Sequence, residues 1–236
     1  MGSFERKIAK FWEIFIEYDG YKRVLTGLQN TLYIAIVGLA IGIVIGTIIA
    51  IIEVIPKYKK LPRVLNGICK FYVALFRGSP VVVQLLVFYY VVFPLLGLNI
   101  PAVNVCVLVF GLNSAAYVSE IMRGGIMSVD SGQMEAARAV GLSYGVSMLK
   151  VIVPQAVKNI LPTLGNEFIA LIKETSVVSF VGAADLYVAF NYIGTNSYEF
   201  MVPYLVMALI YIVLVAIIAF LVKIMERSLR KSDRRN

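Results

Sequence analysis

Residues Leu32 to Ile52 carry no charge at all. At a helical rise of ~1.5 Å per residue, such a run is roughly 30 Å long, the thickness of a bilayer's hydrocarbon core. Inside lipid every backbone amide must bond internally, so the run reads as a membrane-spanning helix. Further apolar runs follow it. Of the 236 residues 60% are hydrophobic and 15% charged, which is too little charge for an ordinary soluble domain. The short alternating segments of a membrane β-barrel are absent from the sequence.

The apolar runs and their breaks predict an all-α integral membrane protein with about five transmembrane helices. Within residues 1–23, Phe4, Ile8, Phe11, Trp12, Phe15 and Ile16 recur at helical spacing between charged residues, so this arm reads as an amphipathic helix on a membrane surface. The first span is expected at 24–53, with Gly38, Gly42 and Gly46 placed for close helix packing. A polar loop, 53–63, contains Pro56, Lys57, Lys59, Lys60, Pro62 and Arg63. Residues 64–98 read as one span interrupted at Gly78-Ser79-Pro80. The third span is expected at 102–122. A hydrophilic segment, 123–150, leads to a fourth span at 151–190 with a break near Lys173-Glu174-Thr175. A polar loop at 191–199 and a last span at 200–222 precede a basic tail, 226–236.

Five spans put the basic loop, the 123–150 segment and the basic tail on one side, which the positive-inside rule makes cytoplasmic. Arg6, Lys7, Lys10, Lys22 and Arg23 of the arm are the exception, since they fall on the other side. The net charge of +8 therefore reads as membrane orientation, with no nucleic-acid partner expected. Cys69 and Cys106 lie in apolar surroundings and read as packing residues. The chain has no histidine, which excludes histidine metal sites and histidine acid–base catalysis. No Gly-x-x-x-x-Gly-Lys-Ser/Thr loop occurs, so the chain has no recognisable phosphate cradle of its own. No catalytic residue and no metal ligand is expected, and the chain is not read as an enzyme.

The segment Ser128-Val-Asp-Ser-Gly-Gln-Met-Glu-Ala-Ala-Arg-Ala-Val-Gly-Leu-Ser143 carries the strongest signal. Asp130 or Ser131 is placed to cap one helix, Gly141 to reverse the chain, and Ser143 to cap a second short helix. The stretch resembles the cytoplasmic signature of ABC-importer permeases: Glu-Ala-Ala, three residues, Gly, nine residues, then Ile-x-Leu-Pro. Glu135, Ala136, Ala137, Gly141 and Pro154 match it, with Val151 and Val153 in place of Ile and Leu. Gly27-Leu-Gln-Asn-Thr-Leu32, Phe76-Arg77-Gly78-Ser79-Pro80, Ala116-Tyr117, Arg123-Gly124-Gly125-Ile126 and Asn166-Glu167-Phe168 through Ser176 are similar to the polar amino-acid subgroup. Together these motifs cover about residues 24–225.

The resemblance implies a type I ABC importer permease fold at 24–225 in the cytoplasmic membrane of a bacterium. It implies that a coupling helix, about 131–147, docks on a separate ATPase through Glu135, Ala136, Ala137, Gly141 and Leu142. It implies two ATPase subunits, which bind the ATP and Mg, a second permease copy or homologue, and an extracytoplasmic amino-acid-binding protein. An ion-gradient-driven secondary transporter or channel is the alternative, and an internal repeat would favour it.

Polar groups inside a bilayer are costly and mark candidate sites. Asn113, Tyr117 and Glu120 share one face of the third span, with Ser114 beside them. Asn159, Thr163, Asn166 and Lys173 form a stripe on the fourth, with Glu167 next to it. The two stripes are expected to face each other across a substrate path; interhelical hydrogen bonding is the alternative for each residue. Arg77 is expected to bond free carbonyls at the 78–80 break or to reach the interface, and Asp185 and Glu174 to cap or bridge helix ends.

Overall fold

The computed structural model describes residues 2–55 and 58–233. Pro56 and Lys57 of the expected basic loop, and residues 234–236 of the tail, lie outside the described residues. The described residues form helices without any strand. Helix α1 (Ser3–Trp12) runs through a π-turn at Glu13–Glu17 to Asp19, whose left-handed backbone (φ 55°) turns the chain into α2 (Gly20–Val54). The first long helix thus begins four residues before the expected 24. Helix α3 (Lys60–Arg77) is followed by α4 (Val81–Val87), a π-turn, and α5 (Phe93–Leu95). Then come α6 (Ala102–Met127), α7 (Ser131–Ala139), α8 (Tyr144–Ser147), α9 (Val153–Glu174), α10 (Leu186–Ser197) and α11 (Met201–Asp233).

Helices α2, α6 and α11 are each long and apolar enough to cross a membrane. Two further candidates are bent: Lys60–Arg77 with Val81–Leu95, at 104°, and Tyr144–Val181 with Leu186–Ser197, at 56°. The packing of α2 on α6 decides how to count the first. A Cβ on Gly38 would meet Phe110, one on Gly42 would meet Ser114, and one on Gly46 would meet Val118. Further along, Glu53 pairs with Arg123. Both indices rise together, so α2 and α6 run parallel. A chain that joins two parallel spans must cross back an odd number of times, so α3–α5 is a single broken crossing. The glycine ridge is what lets the two backbones come so near.

Helix α9 runs against α6, since Ser128 meets Asn159 and Ser114 meets Glu167. Helix α11 runs against α9 and α10, with Gly165 against Val222 and Asn191 against Tyr204. The result is five crossings, α2, α3–α5, α6, α9–α10 and α11, with the two ends of the chain on opposite faces. Phe11 and Ile14 of the arm bury against Phe190, Ile193 and Val202, and Lys7 pairs with Glu199 at 3.1 Å. The arm is therefore docked at the face opposite the α7–α8 hairpin.

Two expectations need correction. Residues 191–199 are not a loop: α10 covers them to Ser197, and only 198–200 connect it to α11. Asn191, Asn196 and Ser197 looked like loop residues, but their side chains bond within or between helices. The break expected at 173–175 is longer and later. A 3-10 stretch, Thr175–Val181, ends at Gly182 in a left-handed conformation, and Asp185 caps α10 through the Val188 amide at 2.8 Å. The Gly27–Leu32 motif of α2 clasps this break: Gly27 backs onto the Asp185 carbonyl, and Asn30 donates to the Ala184 carbonyl at 2.7 Å.

Candidate functional site: a coupling hairpin and a polar groove

The α7–α8 hairpin forms as its residue types require. The Asp130 carboxylate accepts from the Gly132 amide at 2.7 Å and caps α7. At the other end Gly141 has φ 89°, a backbone state that glycine reaches without the cost of a Cβ. The Leu142 amide donates to the Ala137 carbonyl and the Gly141 amide to the Arg138 carbonyl, the paired bonds of a Schellman stop. Arg138 then donates to the Leu142 carbonyl at 2.8 Å, and Ser143 caps α8 through the Val146 amide. Glu135, Ala136, Gly141 and the apolar Val140 and Leu149 are exposed; Leu142 is half-buried and Ala137 buried. The hairpin is tied to α9, and α9 is tied in turn to the end of α6. Gln155 of α9 donates to Gln133 of α7 at 3.2 Å, and Asn159 donates to Ser128, just past α6, at 2.8 Å.

Those same two helices wall an open groove of 440 Å³. Tyr117 and Glu120 of α6, Asn159 and Thr163 of α9, and Arg77 line it. The expected facing of the two stripes is therefore seen for these four residues. Asn166, one turn further on α9, is exposed. Thr163 donates to the carbonyl of Asn159 in its own helix. Asn113 is 4% exposed and donates to Gln84 at 2.9 Å, so it sits behind the groove. Ser114 donates to Glu167 at 3.2 Å, joining α6 to α9.

Gln84 escaped the sequence reading. It donates to the carbonyls of Phe76 and Ser79, at 2.8 and 3.0 Å, and so satisfies the α3–α4 break. This is one of the two tasks expected of Arg77. Arg77 instead lies over the Tyr117 ring, 5.3 Å from its centroid, and faces Glu120 at 3.7 Å. Glu120 is held at 2.7 Å by Arg123, which also reaches Glu53 at 3.7 Å. The one signal for Gln84 was a lone amide in the apolar run 81–98; the carbonyls it holds lie across the break, five and eight residues back, and Asn113 is 29 residues on.

Five crossings, two of them broken, with a polar groove one wall of which is bonded to a projecting hairpin, define a transport permease. The chain belongs to the family of binding-protein-dependent transport system inner membrane components, which it matches over residues 42–231. It is 40% identical over 210 residues to the arginine transport system permease protein ArtQ of Bacillus subtilis (strain 168), covering 89% of this chain and 94% of that one. It is 36% identical over 206 residues to a putative glutamine transport system permease protein GlnP of Rickettsia bellii (strain RML369-C), covering 87% and 92%. Among solved structures it is similar to an amino acid ABC transporter crystallised with histidines. There the TM-score is 0.82 at 37% identity, over 91% of this chain and 96% of that one.

Proposed function

We propose that this chain is the permease subunit of an ATP-driven importer that carries a polar amino acid into a bacterial cell. The observation that carries the reading is the hydrogen bond of the α7–α8 hairpin to α9, through Gln133 and Gln155, one turn from the Asn159–Ser128 bond that ties α9 to the end of α6. A push on the hairpin moves the groove. The hairpin offers Glu135, Ala136 and Val140 to a partner, and the chain itself has no phosphate-binding loop. The partner is thus a separate ATPase subunit that binds ATP and Mg. The positive-inside rule puts the hairpin and the basic tail in the cytoplasm, and an extracytoplasmic binding protein delivers solute to the other face.

Tyr117, Asn159, Thr163 and Asn166 are exposed on the surface of the single chain. Left open to lipid they would be costly. A second permease copy or a homologue facing the groove covers them and closes a path between the two. Solute amides, carboxylate and ammonium would find hydroxyl, amide and carboxylate partners along it, and relatives named for arginine and glutamine transport favour a polar amino acid.

Reconstitution with ATPase and receptor tests the coupling. Gly141→Pro forbids the φ of 89° and should lower receptor-stimulated hydrolysis and uptake by about tenfold or more. Glu135→Lys, at an exposed position, should do the same with the hairpin intact. Undiminished uptake in both variants, or uptake by the permease without any ATPase, would overturn the reading and favour an ion-coupled carrier.

A further inference from the structure

A second cavity, of 630 Å³, opens between α3 and the hairpin-side ends of α2 and α6. It is within the size range of small-molecule sites, about 300–1,000 Å³. One face of α3 supplies Asn66, Lys70 and Arg77, and the opposite wall supplies Glu53, Glu120 and Arg123. Arg77 and Glu120 also line the groove, so their 3.7 Å contact is the shared wall between the two spaces. Within the cavity the charges are not all spent. Lys70 is exposed and makes no ion pair among the described residues. Asn66 is 8% exposed, and its Oδ1 has no donor. The Glu53 side chain, 5% exposed, has only the 3.7 Å approach of Arg123.

A buried acceptor without a donor is costly. Here it lies one helical turn from an unpaired ammonium, since residues four apart on a helix are neighbours. The ligand that satisfies both carries an anion and a hydrogen-bond-donating cation a few ångströms apart. We infer that this cavity is a second, inner binding site for a free amino acid, its carboxylate held by Lys70 and Arg77 and its ammonium by Asn66 Oδ1 and Glu53. The inference rests on the amino-acid reading above. The site is reached from the hairpin side, so it fills when solute has accumulated there. A carboxylate that draws Arg77 away from Glu120 alters the groove wall, and an occupied inner site therefore slows further import.

The test uses the assembled permease–ATPase complex in nanodiscs, with arginine, glutamine and histidine each titrated on the ATPase-accessible side. Receptor-stimulated ATP hydrolysis should fall as one of them fills the site. Lys70→Ala should raise the half-inhibiting concentration by about tenfold or more, as expected for loss of a charge-assisted bond. Asn66→Leu replaces an unpaired buried acceptor by an apolar group of similar size, so the fold survives, and it should raise that concentration too. Asn166→Ala, exposed on α9 and outside this cavity, should leave it unchanged. No inhibition in wild type, inhibition in both α3 variants at the wild-type concentration, or inhibition lost only in Asn166→Ala would overturn the inner site. A zwitterionic phospholipid that fills the cavity and is not displaced by any amino acid would overturn it as well. Uptake into empty liposomes separates the two inferences: uptake that proceeds while inhibition is absent sinks only the inner site, and uptake of none of the three sinks the importer reading.

Discussion

Gln84 and Asn113 do for the α3–α4 break what water does in a soluble protein. Pro80 and the turn before it leave the carbonyls of Phe76 and Ser79 without their helical partners, and the two amides supply the missing donors. Replacing Gln84 by Leu removes its three donated bonds, to the carbonyls of Phe76 and Ser79 and the Ser79 hydroxyl, and leaves Asn113 only the longer 3.4 Å bond to the Phe76 carbonyl. Each buried group so orphaned costs about 1–3 kcal/mol, and the thermal midpoint of the detergent-purified complex should fall by several degrees. Thr163→Val is the contrast: that exposed hydroxyl bonds only its own helix, and the midpoint should stay where it was. An unchanged midpoint in Gln84→Leu would mean that water reaches the break.

The elements divide into those that sequence reveals and those it hides. The α7–α8 hairpin was fully legible, because Asp130, Gly141 and Ser143 act on backbone atoms at most five residues away. The long helices and the Gly78-Ser79-Pro80 break were legible for the same local reason. The end of the fourth crossing was not. Residues 175–182 hold their shape because Asn30, 154 positions earlier, grips the Ala184 carbonyl, and no local pattern announces such a clasp. The groove was half legible: helical spacing put Tyr117 with Glu120 and Asn159 with Thr163, but the turn of Asn113 toward Gln84 depends on a helix 29 residues away.

The arm is an element held partly by charge. Lys7 donates to Glu199 and holds its carboxyl below the usual carboxylate range. A depressed folded-state value means stability that is complete above the ordinary carboxylate pKa of about 4.3 and is lost as pH falls through the lowered value. Trp12, the sole tryptophan of the chain, packs beside Phe11 and Phe15 and reports the arm. Its emission in the purified permease should shift at a pH below about 4.3. In Glu199→Gln the arm should be looser already at neutral pH, and that step should vanish. A transition that persists in Glu199→Gln would assign it to another carboxylate.

For the whole molecule, parallel α2 and α6 force an odd number of crossings, and the two faces become experimentally distinct. Cys69 and Cys106 are both buried, so background labelling is low. A membrane-impermeant maleimide added to intact cells should label Glu199→Cys and spare Glu135→Cys; inverted membrane vesicles should give the reverse. Labelling of both from one side would break the five-crossing topology.

The docked arm also has a consequence for how the chain is made. In the orientation proposed above, with the hairpin inside the cell, residues 2–19 have to be hauled outward through the bilayer at birth, against a potential that resists exported cations by about 2.3 kcal/mol per charge for each 100 mV. The arm and the start of α2 hold five cations, Arg6, Lys7, Lys10, Lys22 and Arg23, against four carboxylates, Glu5, Glu13, Glu17 and Asp19, a net of +1. Near-neutral cargo crosses at a fifth of the electrical work that the lysines and arginines alone would demand. Glu5 and Asp19 also hold helix ends in the finished fold; all four acids share a purpose during biogenesis.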